Sequence, residues 1–238
     1  MSDDVSFVGR ERELAGLLRL AEEAADGHGR FVLIRGEPGV GKSALAERLA
    51  AATRPRIATH WGTALEGEEQ PPFWVWTQIL RTVVSSVPTD ELAGALGPAY
   101  QELGLLVPEL IPPHSRGDRG AADAYAQFLL YDAITRALIR AGRDQPLLIV
   151  LDDLHMADRS SLRCLAFLLR QLREARLLIV GTHRDVDLDP DSPWAAAAGD
   201  LARNATGVEL SGLTRAEIAL LLRPVLSGGD IDSVVARV

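Results

Sequence analysis

Two short stretches carry residue types whose spacing can do chemistry. In Gly36-Glu37-Pro38-Gly39-Val40-Gly41-Lys42-Ser43, the glycines free the backbone to turn successive N–H groups inward around a phosphate at a helix N-terminus. Lys42 adds a point charge for β- and γ-phosphates, and the Ser43 hydroxyl a ligand for Mg2+. In Leu147-Leu148-Ile149-Val150-Leu151-Asp152-Asp153, an apolar run delivers two adjacent carboxylates. Packing gives no reason for that ending, because an unpaired buried carboxylate is costly. With a phosphate loop upstream, Asp152 is the natural Mg2+ partner, directly or through water, and Asp153 the candidate to polarise an attacking water. Arg184, ending Leu177-Leu178-Ile179-Val180-Gly181-Thr182-His183-Arg184, either reads a γ-phosphate or pairs on the surface with Asp185 or Asp187. His155 either positions something nearby or is an ordinary hydrogen-bonded loop histidine.

These residues need a parallel sheet to hold them. Phe31-Val32-Leu33-Ile34 before the glycine loop reads as a buried strand, and Ala44-Leu45-Ala46-Glu47-Arg48-Leu49-Ala50 after it as a helix. Further strands are expected at 56–61, 146–151, 176–181 and 208–210. If they lie parallel and adjacent, Lys42, Asp152, Thr182 and Arg184 share one rim, where α/β folds bind ligands. Helices are expected over 10–26, over 73–84 with Phe73, Trp76, Leu80 and Val83 facing the core, and over 159–174. Another is expected over 121–141 with Tyr125, Phe128, Leu129, Ala133, Ala137 and Ile139 inward. Residues 88–120, cut by prolines and glycines, read as short helices and a mobile loop. Thr214 and Glu217 form a capping box for a helix over 218–222. A last helix begins at 230, and its apolar, uncapped end at 234–238 reads as a chain cut from something longer.

Composition limits the alternatives. The 238 residues, 47% of them hydrophobic, suffice for one large α/β domain without disulfides or metals to hold its core. The single cysteine, Cys164, sits in an apolar helical pattern and suits a reducing cytoplasm. No apolar run approaches the roughly 20 residues of a membrane span. A net charge of −8 opposes direct contact with a nucleic-acid duplex.

Together, residues 7–13, Gly36 to Ser43, Leu147 to Asp158, 179–185 and 210–222 resemble the ATPase module of the STAND class of P-loop NTPases. Its form in large LuxR-type (MalT-like) transcriptional regulators is the most similar. Val8-Gly9-Arg10-Glu11-Arg12-Glu13 matches that class's hydrophobic-Gly-Arg-Glu-x-Glu motif; charge pattern alone reads it as a solvated helix start. The resemblance implies a three-layer α/β/α fold with a mostly parallel five-stranded sheet over 1–210, interrupted by a helical insertion at about 62–140, and the start of a helical lid at 211–238. It implies ATP or ADP with Mg2+, held by Val8, Gly9 and Arg10 beside the adenine and by Gly36, Glu37, Pro38, Gly39, Val40, Gly41, Lys42, Ser43 and Ala44 around the phosphates. Ser43 and Asp152 become the metal ligands, Lys42, Asp152 and Asp153 the catalytic set, and Arg184 a γ-phosphate sensor. Two departures stand out: Met156 where tryptophan is common, and Asp153 where motor-type AAA+ ATPases place a longer glutamate. The shorter acid suits slow hydrolysis in a switch. Implied partners are other domains of a longer chain, self-association, and DNA only through a C-terminal domain outside these residues, with no membrane. AAA+ initiators or loaders acting on DNA share the Val-Gly-Arg-Glu start, and a module keeping nucleotide as a purely structural ligand is the third reading.

Overall fold

Strands rich in Val, Ile and Leu with no polar interruption satisfy their backbones only inside a sheet covered on both faces. The computed structural model, which describes residues 8–65, 70–110, 124–184 and 189–223, has three such strands at the centre of a five-stranded set, β1 (Arg30–Gly36), β3 (Leu147–Asp152) and β4 (Leu177–Arg184), flanked by the more polar β2 (Ala58–Thr63) and β5 (Thr206–Leu210). They form one sheet in the order β2-β3-β4-β1-β5, each neighbouring pair parallel. The register sets Gly36 beside Arg184 and Thr63 beside Asp152. The glycine loop, the paired carboxylates and Arg184 therefore leave the sheet at one edge, as the sequence implies.

Alternation along the strands divides the core in two. Val32, Ile34, Leu148, Val150, Leu178 and Val180 pack against α1 (Glu11–Ala25) and α2 (Lys42–Thr53). Phe31, Leu33, Leu147, Ile149, Leu151, Leu177 and Ile179 face the larger layer of α3 (Trp74–Val84), α4 (Thr89–Leu96), α5 (Tyr100–Leu103), α6 (Ala124–Asp144), α7 (Arg159–Leu169) and α8 (Pro193–Arg203). The result is a three-layer α/β/α sandwich. After β5, α9 (Arg215–Leu222) starts at Thr214 with the expected capping box to Glu217.

Several elements differ from expectation. On α6 the buried line is Leu130, Ala133, Ile134, Ala137, Leu138 and Ala141, while Tyr125 and Phe128 are 65% and 48% exposed. The core face is rotated by about one residue from the expected one. Residues 88–110 do form the expected short helices, packed through Leu92, Leu96, Tyr100, Leu103 and Val107. α7 ends at Leu169, and only a 3-10 turn at Leu172–Glu174 continues it. α8 has no counterpart among the expected helices. Phe73, Trp76, Leu80 and Val83 are buried, as their spacing implies. Cys164 is a buried free thiol, pushed well above its ordinary pKa by burial. The expected mobile loop at 114–120, the helix from 230, Phe7, Asp185 and Asp187 lie outside the described residues. Among the described residues, no helix is long and apolar enough to cross a membrane.

Candidate functional site

The loop between β1 and α2 takes its shape from its glycines. Gly39 and Gly41 have φ of 78° and 100°, values that cost a side-chain-bearing residue. At Gly36 a Cβ would lie 2.5 Å from the Leu210 carbonyl oxygen of the neighbouring strand. The loop turns Lys42, buried at the start of α2, back on its own backbone: Nζ donates to the carbonyls of Gly36 (3.0 Å) and Glu37 (2.9 Å). Burial pushes the Lys42 ammonium below its ordinary pKa; Asp153 opposes that shift, Arg184 adds to it, and Asp152 opposes it. Those influences put the four charged groups in one electrostatic neighbourhood. Glu37, Pro38 and Gly39 are exposed at the loop's crown, and Ala44 is exposed on the first turn of α2.

Asp152, at the end of β3, is the hub. The Ser43 hydroxyl lies 2.9 Å from both its carboxylate oxygens. The buried Thr182 hydroxyl donates to Oδ1 at 2.6 Å and accepts from the Asp153 N–H at 2.9 Å. Sequence pattern places Thr182 on the rim and goes no further. A hydroxyl at the end of an otherwise apolar strand is the available signal, but its partners follow from the β3–β4 pairing. Asp153 occupies the left-handed region (φ 56°, ψ 46°), tolerated by aspartate better than by most residues. Its Oδ1 lies 3.9 Å from Arg184 Nε and 3.8 Å from His155 Nδ1. Arg184 thus faces the second carboxylate from across the β3–β4 boundary.

Arg10 is not the solvated helix start that its charge pattern allows. It is 6% exposed, and its guanidinium donates to the carbonyls of Val40 (3.4 Å) and Ser211, besides approaching Glu13 at 3.6 Å. It ties the segment before α1 to the glycine loop and to the chain leaving β5. Gly9, with φ 76°, holds a backbone conformation that favours glycine, and a Cβ there would press on the Glu217 carboxylate of α9. Val8 is half-buried beside it.

The donor set fits a magnesium nucleotide. Hydroxyl and carboxylate oxygens of Ser43, Asp152 and Thr182 are the hard ligands Mg2+ takes, and the glycine loop supplies backbone N–H groups with one buried ammonium, a phosphate's complement. Among the described residues, no group of three or more His, Cys, Asp or Glu gathers as for a transition metal.

A parallel sheet with a glycine loop after β1 and a carboxylate at the end of β3 defines a P-loop NTPase fold. A model of the AAA ATPase domain matches residues 6–180, and the chain belongs to that family. No curated protein matches it. Among solved structures, it is similar to a STAND protein with a tetratricopeptide-repeat sensor from Pyrococcus horikoshii (19% identity, TM-score 0.51, covering 96% of this chain and 27% of that one). It is also similar to the Aeropyrum pernix ORC2 protein, solved as ADPNP-ADP complexes (14%, 0.53, 90% and 50%). A third is the Aeropyrum pernix ORC1 protein, solved in complex with DNA (16%, 0.52, 94% and 51%). These likenesses concern the fold, and the chain spans between about a quarter and a half of those proteins' lengths.

Proposed function

We propose that this chain is an ATP/Mg2+-binding regulatory NTPase domain, a slow ATPase switch serving a cytoplasmic signalling protein or a LuxR-type transcriptional regulator. The observation that carries the reading is Asp152 receiving the Ser43 and Thr182 hydroxyls beside a glycine loop that encloses Lys42. ATP with Mg2+, when bound, supplies a phosphoanhydride whose terminal phosphoryl group is open to water. Lys42 neutralises phosphate charge, Ser43 and Asp152 hold the metal, Asp153 orients water, and Arg184 reads the γ-phosphate. Turnover is slow because Asp153 is short and faces the Arg184 guanidinium as well as the water site. Arg10, bonded to both Val40 and Ser211, links the loop to the chain entering α9, the path by which nucleotide state reaches neighbouring domains.

The test is calorimetry with ATP, with and without Mg2+. Binding should require Mg2+, and Lys42→Ala should weaken it by about 1.5–3 kcal/mol for each charged hydrogen bond lost. Asp153→Asn should retain binding and lose turnover. No Mg2+-dependent binding by folded protein would rule the reading out, while equal, negligible turnover in both forms would favour nucleotide as a structural ligand. The likeness to ORC1, solved with DNA, favours one alternative, an initiator-type ATPase acting on DNA. The net charge of −8 opposes it, and sub-micromolar duplex binding by this chain would establish it.

A further inference from the structure

His155 is the exception in a site whose other buried polar groups are bonded. It lies in the 3-10 turn Leu154–Met156, closed by the Met156 N–H on the Asp153 carbonyl at 2.8 Å and anchored by the fully packed Leu154. The residue is 8% exposed, and its Nδ1 is buried without a hydrogen-bond partner. An unpaired buried nitrogen costs about 1–3 kcal/mol, so its retention calls for a partner in another arrangement. The atom it faces is Asp153 Oδ1, at 3.8 Å, and Arg184 Nε faces that same oxygen at 3.9 Å. Both separations exceed hydrogen-bond reach, so the carboxylate lies between two donors and is bonded to neither. The Asp153 backbone cannot drift, since its N–H is held by Thr182 and its carbonyl by the turn. Rotation of the side chain is the remaining freedom.

We propose that His155 is a positioning residue for Asp153: its Nδ1–H takes the carboxylate when Arg184 turns to a γ-phosphate, and so keeps Asp153 aimed at the attacking water. Burial holds the imidazole below its ordinary pKa, with Asp153 opposing and Arg184, His183 and Lys42 reinforcing, and the tautomer with its proton on Nδ1 is the one that can donate to Asp153. The inference rests on the proposed ATPase reading.

The 238-residue protein and its His155→Asn, His155→Gln and His155→Leu variants would be compared in Mg2+-dependent ATP binding and single-turnover hydrolysis. An asparagine amide nitrogen occupies nearly the place of Nδ1, whereas glutamine reaches the place of Nε2. His155→Leu and His155→Gln should slow hydrolysis roughly 10- to 100-fold, the cost of a misaimed group, with the ATP dissociation constant unchanged. His155→Asn should restore most of the rate. A purely structural histidine gives no such split, so equal rates in all four proteins, or an Asn variant as slow as Leu, overturn the inference. Should His155→Leu fail to bind ATP, the ratio of the Asn to the Gln rate decides between the same two outcomes. Binding without turnover in the unsubstituted protein overturns this inference and reduces the proposed function to nucleotide as a structural ligand, whereas absence of binding overturns the proposed function as a whole.

Discussion

The rim of the sheet and the helical layer over its larger face bury polar groups under opposite rules. At the rim, Lys42, Asp152 and Thr182 are each bonded to another part of the chain, through the glycine-loop carbonyls or across the β3–β4 boundary. In and beneath the large layer, Trp74 Nε1, Tyr131 Oη, Thr135 Oγ1 and His60 Nε2 are buried with no partner. The first arrangement fixes charges in place before any ligand arrives, which is what an electrostatic site requires. The second is an apolar core that tolerates stray polar atoms because packing carries it. Damage to one region should therefore leave the other's property intact.

The largest test removes packing from the helical layer. Trp76 is fully buried on α3, and its indole N–H donates to the Ser161 carbonyl of α7 at 3.0 Å. Trp76→Ala should cost about 3–5 kcal/mol, read as a lowered urea midpoint. The ATP affinity of the folded fraction should stay unchanged, because that packing and that hydrogen bond lie within the helical layer. An affinity that fell with stability would show the two regions to be one cooperative unit.

The contrast also marks what a sequence discloses. The glycine loop was legible because its chemistry is local, eight consecutive residues between a strand and a helix. Asp152 and Asp153 were legible because acids at the end of an apolar run have no packing explanation. Thr182 was not, since its two bonds depend on which strand neighbours β3, a matter of pairing and not of pattern. On α6, the adjacent Leu129 and Leu130 fit two neighbouring helical faces equally well, and the aromatic residues Tyr125 and Phe128 draw the expected face toward themselves. Phe128 instead packs edge-on against Phe167, ring centroids 5.7 Å apart, at the layer's margin. α8 does carry a signal: Ser192 caps it by accepting from the Ala195 N–H, and Pro193 follows at its first position, the usual start of a helix. Its alanine-rich face hides the periodicity.

One substitution made in both regions sharpens the comparison further. Thr182→Val deletes the hydroxyl that serves Asp152 and the Asp153 N–H, and should cost about 1–3 kcal/mol by leaving those groups unsatisfied. ATP turnover should fall with it, and Thr182→Ser should recover both properties. Thr135→Val, at a fully buried position on α6, deletes a hydroxyl with no partner. It should leave stability unchanged or raise it by about 1 kcal/mol, since a desolvated polar group is exchanged for a methyl. The denaturant midpoint should fall in Thr182→Val and hold or rise in Thr135→Val; equal losses would mean that Thr135 is satisfied in solution and that the two regions differ less than their hydrogen bonding implies.

The smallest effect is one of pH, and it comes from an unpartnered atom of β2. His60 Nδ1 lies 2.8 Å from Thr82 Oγ1, whose own proton goes to the Ile79 carbonyl, also at 2.8 Å. The hydroxyl therefore accepts, the histidine proton sits on Nδ1, and Nε2 faces the core as an unpaired acceptor. Protonating Nε2 would put a charged donor where no acceptor waits, and burial accordingly holds His60 below its ordinary pKa. The unfolded chain takes up this proton near pH ~6.5, the folded chain only at lower pH, so between the two values the unfolded state binds more protons and stability rises with pH. The contribution is complete above the unfolded value and is lost as pH falls toward the folded one. Melting temperature should drop between about pH 7.5 and about pH 5.5, the window in which free imidazole titrates, by about 2–4 °C for each kcal/mol in a chain of this size. His60→Asn, which keeps a donor to Thr82 and cannot titrate, should flatten that slope without abolishing it. His155, lowered by burial against the pull of Asp153, contributes with the same sign from the rim. A slope unchanged in His60→Asn would move the acid sensitivity to His155, and with it from the region that tolerates unpaired polar atoms to the one that otherwise does not.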